Sequence, residues 1–254
     1  MPAFSQNLDQ SLRRAAGLAE RWRHERATPE HLLLALTDDP DATRVMQACN
    51  VDLQKLRHAI LASLSPLPGE TAPHTSQSFE GDLQRAAAHA ESIEREEISG
   101  AHVLVAMLTG PAAHFLHEQG MTRYDATTFV SHGITKDAQA RPRRASEIVE
   151  RSAPNALPDD SAASSTFKVR LLNDDYTTME FVVYVLEEVF EVEHEDAIRI
   201  MFQTHHEGVG ECGVFARDEA EAKATQVMSM AHQHQQPLRC VLEPGGSVSV
   251  NETE

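Results

Sequence analysis

The chain has 254 residues, enough for one or two domains that each bury a core. Its 22 basic residues against 39 acidic ones leave a formal charge of −17, which argues against a protein that tracks nucleic-acid phosphates or an anionic membrane surface. No apolar run approaches the length of a bilayer span, and Met1-Pro2-Ala3-Phe4-Ser5-Gln6-Asn7 lacks the basic and apolar regions of a signal peptide. Cys49, Cys212 and Cys240 are an odd number without CxxC or metal-type spacing, which fits a reducing cytoplasmic setting.

Residues 5–134 are predicted to be helical and to contain an internal repeat. Leu12-Arg13-Arg14-Ala15-Ala16-Gly17-Leu18-Ala19-Glu20 recurs 71 residues later as Leu83-Gln84-Arg85-Ala86-Ala87-Ala88-His89-Ala90-Glu91. At the same offset Glu30-His31-Leu32-Leu33-Leu34-Ala35-Leu36 recurs as Ala101-His102-Val103-Leu104-Val105-Ala106-Met107. Each unit, about 5–65 and 76–134, offers a long helix and then a short apolar one opened by Thr28-Pro29 or Ser99-Gly100, a cap followed by a start signal. Two shorter helices follow, divided at Asn50 and Gly120, residues that tolerate a left-handed stop. One unit buries too little alone, so the pair is expected to pack as a pseudo-symmetric bundle. His31 and His102 have no partner ligands at metal spacing and are expected to bond to backbone at a helix start.

Residues 137–165 change character. Arg141-Pro142-Arg143-Arg144 and the Pro-, Ser- and Ala-rich run from Ser152 to Ser165 predict a flexible linker, with no more than a helical turn near 146–151. The tail 245–254 is Gly-, Ser- and Glu-rich and is expected to be disordered.

Between them, residues 166–244 predict a strand over 167–172, helices over 178–190 and 194–205, a strand over 210–215, a helix over 217–234 and a strand over 238–243. Phe167, Val169 and Leu171 alternate with Lys168 and Arg170, the period of a half-buried strand. Met179, Val182, Val183, Leu186, Val189 and Phe190 recur at three- and four-residue steps, the pattern of an amphipathic helix. Thr177 and Glu180 have the spacing of a capping box. Ala220, Ala224, Val227 and Ala231 form a core stripe, and Cys212 and Cys240 are expected as small core residues. Three strands with helices on one face make a small α+β sandwich, so the fold class is an all-α tandem-repeat domain followed by a β-α-α-β-α-β domain.

Asn173-Asp174-Asp175 falls in the tight turn between the first of these strands and its helix. Short-reach acceptors held there suit a cationic group with several N–H donors, such as a peptide's α-ammonium. All three are also ordinary turn residues, so the triplet alone points to a turn as readily as to a site.

The run Phe167-Lys168-Val169-Arg170-Leu171-Leu172-Asn173-Asp174-Asp175-Tyr176-Thr177-Thr178-Met179-Glu180-Phe181-Val182 resembles the opening of ClpS, the adaptor of the Clp ATP-dependent protease. His205-His206-Glu207-Gly208, Cys212-Gly213-Val214-Phe215, Ala220-Glu221-Ala222-Lys223 and Pro237-Leu238-Arg239-Cys240 follow in that family's order. The tandem over 1–136 resembles the amino-terminal repeat domain of ClpA- and ClpC-type unfoldases. Some members of that class bind phosphorylated arginine through a Glu in each repeat; Glu30 matches, Ala101 does not, and the activity is not expected here. No G-x-x-x-x-G-K-[ST] loop is present, so the residues given carry the unfoldase's docking domain without its motor.

The ClpS resemblance implies a domain over 166–244 that binds N-degrons, peptides whose free first residue is Leu, Phe, Tyr or Trp. Asn173, Asp175 and His205 would hold the α-ammonium, with Asp174 supporting the turn and Thr177 near the peptide backbone. Met179, Val182, Met201, Thr204 and Leu238 would line the slot for the first side chain, and Lys223 would lie on the face that docks the unfoldase. Thr178 stands where the family has Pro, and Thr204 where it commonly has Val. An imidazole that accepts must be neutral, so binding is expected to weaken below about pH 6.

The expectation is therefore a non-enzymatic, cytoplasmic adaptor whose partners are a Clp AAA+ unfoldase and proteins with a bulky apolar first residue, with no nucleic acid, membrane, metal or cofactor. The alternative is a regulator or decoy that binds the unfoldase and delivers nothing. A hydrolase using Asp174, Asp175 and His205 lacks a nucleophile with an oriented base.

Overall fold

The computed structural model describes residues 2–64, 74–140 and 166–245. They fall into two compact units, Met1–Ala140 and Arg141–Glu254. Most of the predicted linker, with its Arg-rich segment, and all but the first residue of the predicted tail lie outside the described residues.

The first unit is helical. Its long helices, α1 (Gln6–Arg21) and α5 (Gln77–Ser92), start on Ser5 and Ser76, whose hydroxyls accept from the N–H groups of Leu8 (3.1 Å) and Phe79 (3.2 Å). The apolar helices α2 (Pro29–Leu36) and α6 (Gly100–Met107) bury Leu32, Leu33, Leu36, Leu104 and Met107 completely. Helices apolar nearly all round have no solvent face, which is why they run through the middle. Then come α3 (Pro40–Ala48), α4 (Leu53–Ser63), α7 (Ala113–His117), α8 (Arg123–His132) and α9 (Lys136–Ala140), the last running into the range expected as linker. The expected stops are left-handed, with φ of 62° at Asn50 and 76° at Gly120.

The pseudo-symmetry is explicit in four two-residue strands. β1 (Ala3–Phe4) pairs in parallel with β4 (Glu97–Ile98), and β2 (Arg26–Ala27) with β3 (His74–Thr75). Each repeat thus lends its opening strand to the other, with the register Ala3↔Glu97 mirrored by Arg26↔His74.

His31 and His102 act as expected: Nδ1 of each accepts from the backbone N–H of its cap residue, Thr28 at 3.1 Å and Ser99 at 3.0 Å. Since Nδ1 of His31 accepts, its proton sits on Nε2, which donates to His24 Nδ1 at 2.8 Å. Burial, and then the neighbouring His24, push the His31 imidazole down to about 4 from 6.5, against an opposing pull from Glu30. A base whose pKa falls on folding is charged sooner in the unfolded chain. Its stabilising contribution is complete above about pH 6.5 and is lost as pH falls towards 4, up to about 3 kcal/mol. The stability difference between the native chain and His31→Gln, which keeps a capping-box residue at that position, is expected to shrink over that interval in denaturant titrations. A constant difference would contradict this.

The second unit is the small α+β fold. Its three strands are β5 (Thr166–Leu172), β6 (Val209–Ala216) and β7 (Arg239–Pro244), antiparallel in the order β6-β5-β7. Phe167, Val169 and Leu171 face the core. On the other face Lys168 pairs with Glu211 (3.3 Å) and Arg170 with Glu243 (2.9 Å). Helices α10 (Met179–Phe190), α11 (His194–Glu207) and α12 (Arg217–Gln233) cover the inner face. Val185, Leu186, Ile200, Ala220, Ala224, Val227 and Ala231 join the strand residues in one core. Cys212 and Cys240 belong to it, their thiols pushed up to about 12 by burial.

Candidate functional site

The turn after β5 is organised by Asp174. Its Oδ1 accepts from the N–H groups of Tyr176 (2.8 Å) and Thr177 (2.7 Å), and its Oδ2 from the Thr177 hydroxyl (2.6 Å). One carboxylate thus gathers three donors and fixes the backbone of the next three residues. The predicted capping box is corrected here. Thr177 is taken by Asp174, and Thr178 caps α10, its hydroxyl accepting from the Phe181 N–H at 3.3 Å. The hydroxyl at 178 does by hydrogen bonding what a proline would do by fixing φ, which is −74° here.

The backbone N–H of Asn173 donates to the Gly208 carbonyl at 2.9 Å. Gly208 ends α11 with a left-handed φ of 80°, the conformation that turns the chain back into β6. Leu172 pairs with Val209 on one side and Arg239 on the other, so Asn173, one residue on, falls between Gly208 and Leu238. Three chain segments converge there: the Asn173–Thr177 turn, the end of α11, whose last turn holds Thr204 and His205 with Met201 one turn before it, and the entry to β7 at Leu238.

Val182, Met201 and Leu238 are buried in the same core. Met179, one helical turn before Val182 at the start of α10, is 42% exposed. Asn173 and Asp175 are half-buried, and His205 is exposed. Asp174 spends both its oxygens on the turn.

Thr204 is buried, and its hydroxyl donates to the Ile200 carbonyl at 2.8 Å. It lies against Gly210 so closely that a Cβ there would meet Oγ1 at 1.9 Å. The hydroxyl therefore faces β6 and its own helix, and the departure from Val is absorbed locally. Thr204→Val is expected to change stability by less than about 1 kcal/mol and to leave affinity for a Leu-starting peptide within about threefold, measured by thermal melting and calorimetry. A larger change in affinity would mean that the hydroxyl contacts the ligand.

Lys223 stands apart from this cluster. Its Nζ donates to the Val189 carbonyl at 2.8 Å and lies 5.8 Å from the Phe190 ring centre and 5.1 Å from that of Phe215. That ammonium pins α12 to the end of α10. The His205 and His206 rings lie 5.2 Å apart, edge to face. His206 stacks on exposed Phe202, with ring centres 6.1 Å apart and planes 8° from parallel. Nothing in the sequence reading singled out Phe202, although its i, i+4 spacing to His206 is the available signal. In the first unit a separate open cleft of about 440 Å³ is lined by Ser5, Gln6, Asn7, Asp41, Arg95, Glu97 and Ser99.

Residues 162–241 match the family of the ATP-dependent Clp protease adaptor protein ClpS, and residues 3–119 the Clp repeat N-terminal domain. The ClpS 1 adapter of Rhizobium meliloti (strain 1021) is 48% identical over 40% of this chain and 83% of its own. The chain belongs to the ClpS family. It joins a ClpS domain to a Clp repeat domain. The ClpS adapter of Rhodospirillum centenum is 60% identical over 31% of this chain and 73% of that protein. A ClpA homolog from Fuscovulum blasticum is 45% identical over 66% of this chain, which spans only 23% of that relative's length. Among solved structures, Agrobacterium tumefaciens ClpS2 bound to L-phenylalaninamide is 37% identical over 33% of this chain and all of its own, with a TM-score of 0.32. The N-domain of ClpV from Vibrio cholerae is 23% identical over 50% and 82%, with a TM-score of 0.45. Among the described residues no helix is long and apolar enough to cross a membrane.

Proposed function

We propose that the ClpS domain of this chain binds N-degron peptides beginning with Leu, Phe, Tyr or Trp and delivers their proteins to a ClpA- or ClpC-type AAA+ unfoldase. The observation that carries this is the convergence of the Asp174-organised turn with the last turn of α11 through the Asn173–Gly208 hydrogen bond. An α-ammonium needs three acceptors, and Asn173, Asp175 and His205 supply an amide, a carboxylate and an imidazole. The negative charge of Asp175 offsets the cost of taking the ammonium out of water. Thr177 lies beside the peptide backbone, while Met179, Val182, Met201, Thr204 and Leu238 receive the first side chain. Burial of a Leu- or Phe-sized group there contributes about 1.5–3 kcal/mol. The exposed Met179 makes a pliable rim that follows straight and aromatic side chains and crowds β-branched ones.

This role involves no bond-making by the chain itself and belongs in the cytoplasm with the Clp protease. Residues 166–244 recognise the substrate, residues 1–136 form the repeat domain, and 137–165 link them. Lys223 acts on the docking face through the α10–α12 contact that it pins. A second reading is favoured by the fused repeat domain, which offers the chain a copy of the surface that its adaptor domain would seek on an unfoldase. At the high effective concentration of a tethered partner, that copy competes with the unfoldase and makes the chain a regulator or decoy. Degradation of a Leu-starting reporter by a ClpA-type unfoldase and its peptidase separates the two. A delivering adaptor accelerates degradation of the Leu-starting reporter and not of its Met-starting twin. Slowed degradation of both, relieved by removing residues 1–136, would instead establish the decoy.

A further inference from the structure

We infer that Phe202 and His206 form an accessory specificity element that reads the third residue of the bound peptide; this deepens, and rests on, the N-degron reading above. Phe202 is 47% exposed on α11, and its ring stacks on His206 with the planes 8° apart. His206 in turn lies edge-on to His205, 5.2 Å away. Three rings therefore run without a break from the proposed ammonium contact out across the helix. At roughly 100° per residue, one passes from Met201 to His205 after about 40°, to Phe202 after about 100° and to His206 after about 140°. The series starts at a buried residue proposed for the slot and ends in solvent.

Nothing in the fold requires this row. The core side of α11 is Ala197, Ile200, Met201 and Thr204, and Phe202 points away from it. In this proposal a peptide whose ammonium rests on His205 leaves the slot across this exposed side of α11. An extended chain advances about 3.3 Å per residue and alternates its side chains, so the third residue faces the same way as the first, about 6–7 Å on. Side chains three apart on a helix stand about 5–6 Å from one another, which sets Phe202 at that distance from His205. A flat imidazole–phenyl pair offers an apolar face suited to an aromatic or large aliphatic side chain.

The test is a calorimetric titration of the full chain with Leu-Gly-Gly-, Leu-Phe-Gly- and Leu-Gly-Phe-starting peptides, each also in N-acetylated form. The native chain is expected to bind Leu-Gly-Phe roughly three- to tenfold more tightly than Leu-Gly-Gly, the range of one aromatic contact. Phe202→Ala should erase that advantage and leave Leu-Gly-Gly affinity within about twofold. Equal affinity for the two peptides, an advantage that survives in Phe202→Ala, or one confined to Leu-Phe-Gly would overturn the inference. The N-degron reading fails separately, if Leu-Gly-Gly binds no better than its acetylated copy.

Discussion

Asp174→Ala is expected to weaken binding of Leu- and Phe-starting peptides about 100-fold while the domain stays folded. The carboxylate contacts no ligand in this account. It holds the Tyr176 and Thr177 N–H groups and the Thr177 hydroxyl, and with them the angle at which Asn173 and Asp175 leave the strand. Without it two or more residues lose their fixed backbone, and ordering them again on binding costs about 1–2 kcal/mol each. A penalty of about 3 kcal/mol corresponds to roughly 100-fold in affinity. Asp174→Asn keeps one acceptor oxygen for the two N–H groups and should fall between the native chain and alanine. Calorimetry gives the affinities, and thermal melting should show a loss of only about 1–3 kcal/mol in stability. Native affinity in Asp174→Ala would remove the turn from the site.

Gly210→Ala is expected to destabilise the second unit and to weaken its peptide affinity together. Its Cβ would meet the Thr204 hydroxyl at 1.9 Å, the Ile200 carbonyl at 3.0 Å and the Ile200 Cγ2 at 3.2 Å. All three atoms belong to α11, so the helix has to move away from β6. Such overpacking costs about 1–3 kcal/mol, occasionally more, which for a domain this small lowers Tm by roughly 10 °C. The same displacement carries Met201 and His205 away from the Asn173 turn, so affinity falls with stability. Adding Thr204→Ala removes the worst contact and leaves the carbonyl, so the double variant should recover part of both losses. If Gly210→Ala melts like the native chain, α11 is not packed against β6 as described.

Much of the architecture was legible because the responsible forces are periodic. Burial of one face of β5 requires Phe167, Val169 and Leu171 to alternate with charges, and a helix over that face requires the spacing seen from Val182 to Phe190. The 71-residue offset was visible in the paired apolar helices, and it reappears in the reciprocal registers of the short strands. Competition between neighbouring polar groups was not legible. Thr177 and Thr178 are both placed to cap α10, and the outcome depends on the Asp174 carboxylate claiming the first. The direction of the Thr204 hydroxyl depends on the missing side chain at Gly210, 6 residues on in a different element. Lys223 looked like a surface residue, yet its side chain is only 16% exposed because the Val189 carbonyl and two aromatic rings draw it inward. The Phe202–His206 stack has the spacing of any helical pair, and only coordinates distinguish a stacked pair from two solvated side chains.

The central claim is that a free amino terminus is what the Asn173–Asp175–His205 group recognises. Calorimetric titration of the full chain with a Leu-starting peptide and its N-acetylated copy tests it most directly. Acetylation removes the charge and two of three donors while leaving the first side chain intact, so affinity should drop at least about 100-fold. Equal affinity for the two peptides would contradict the claim.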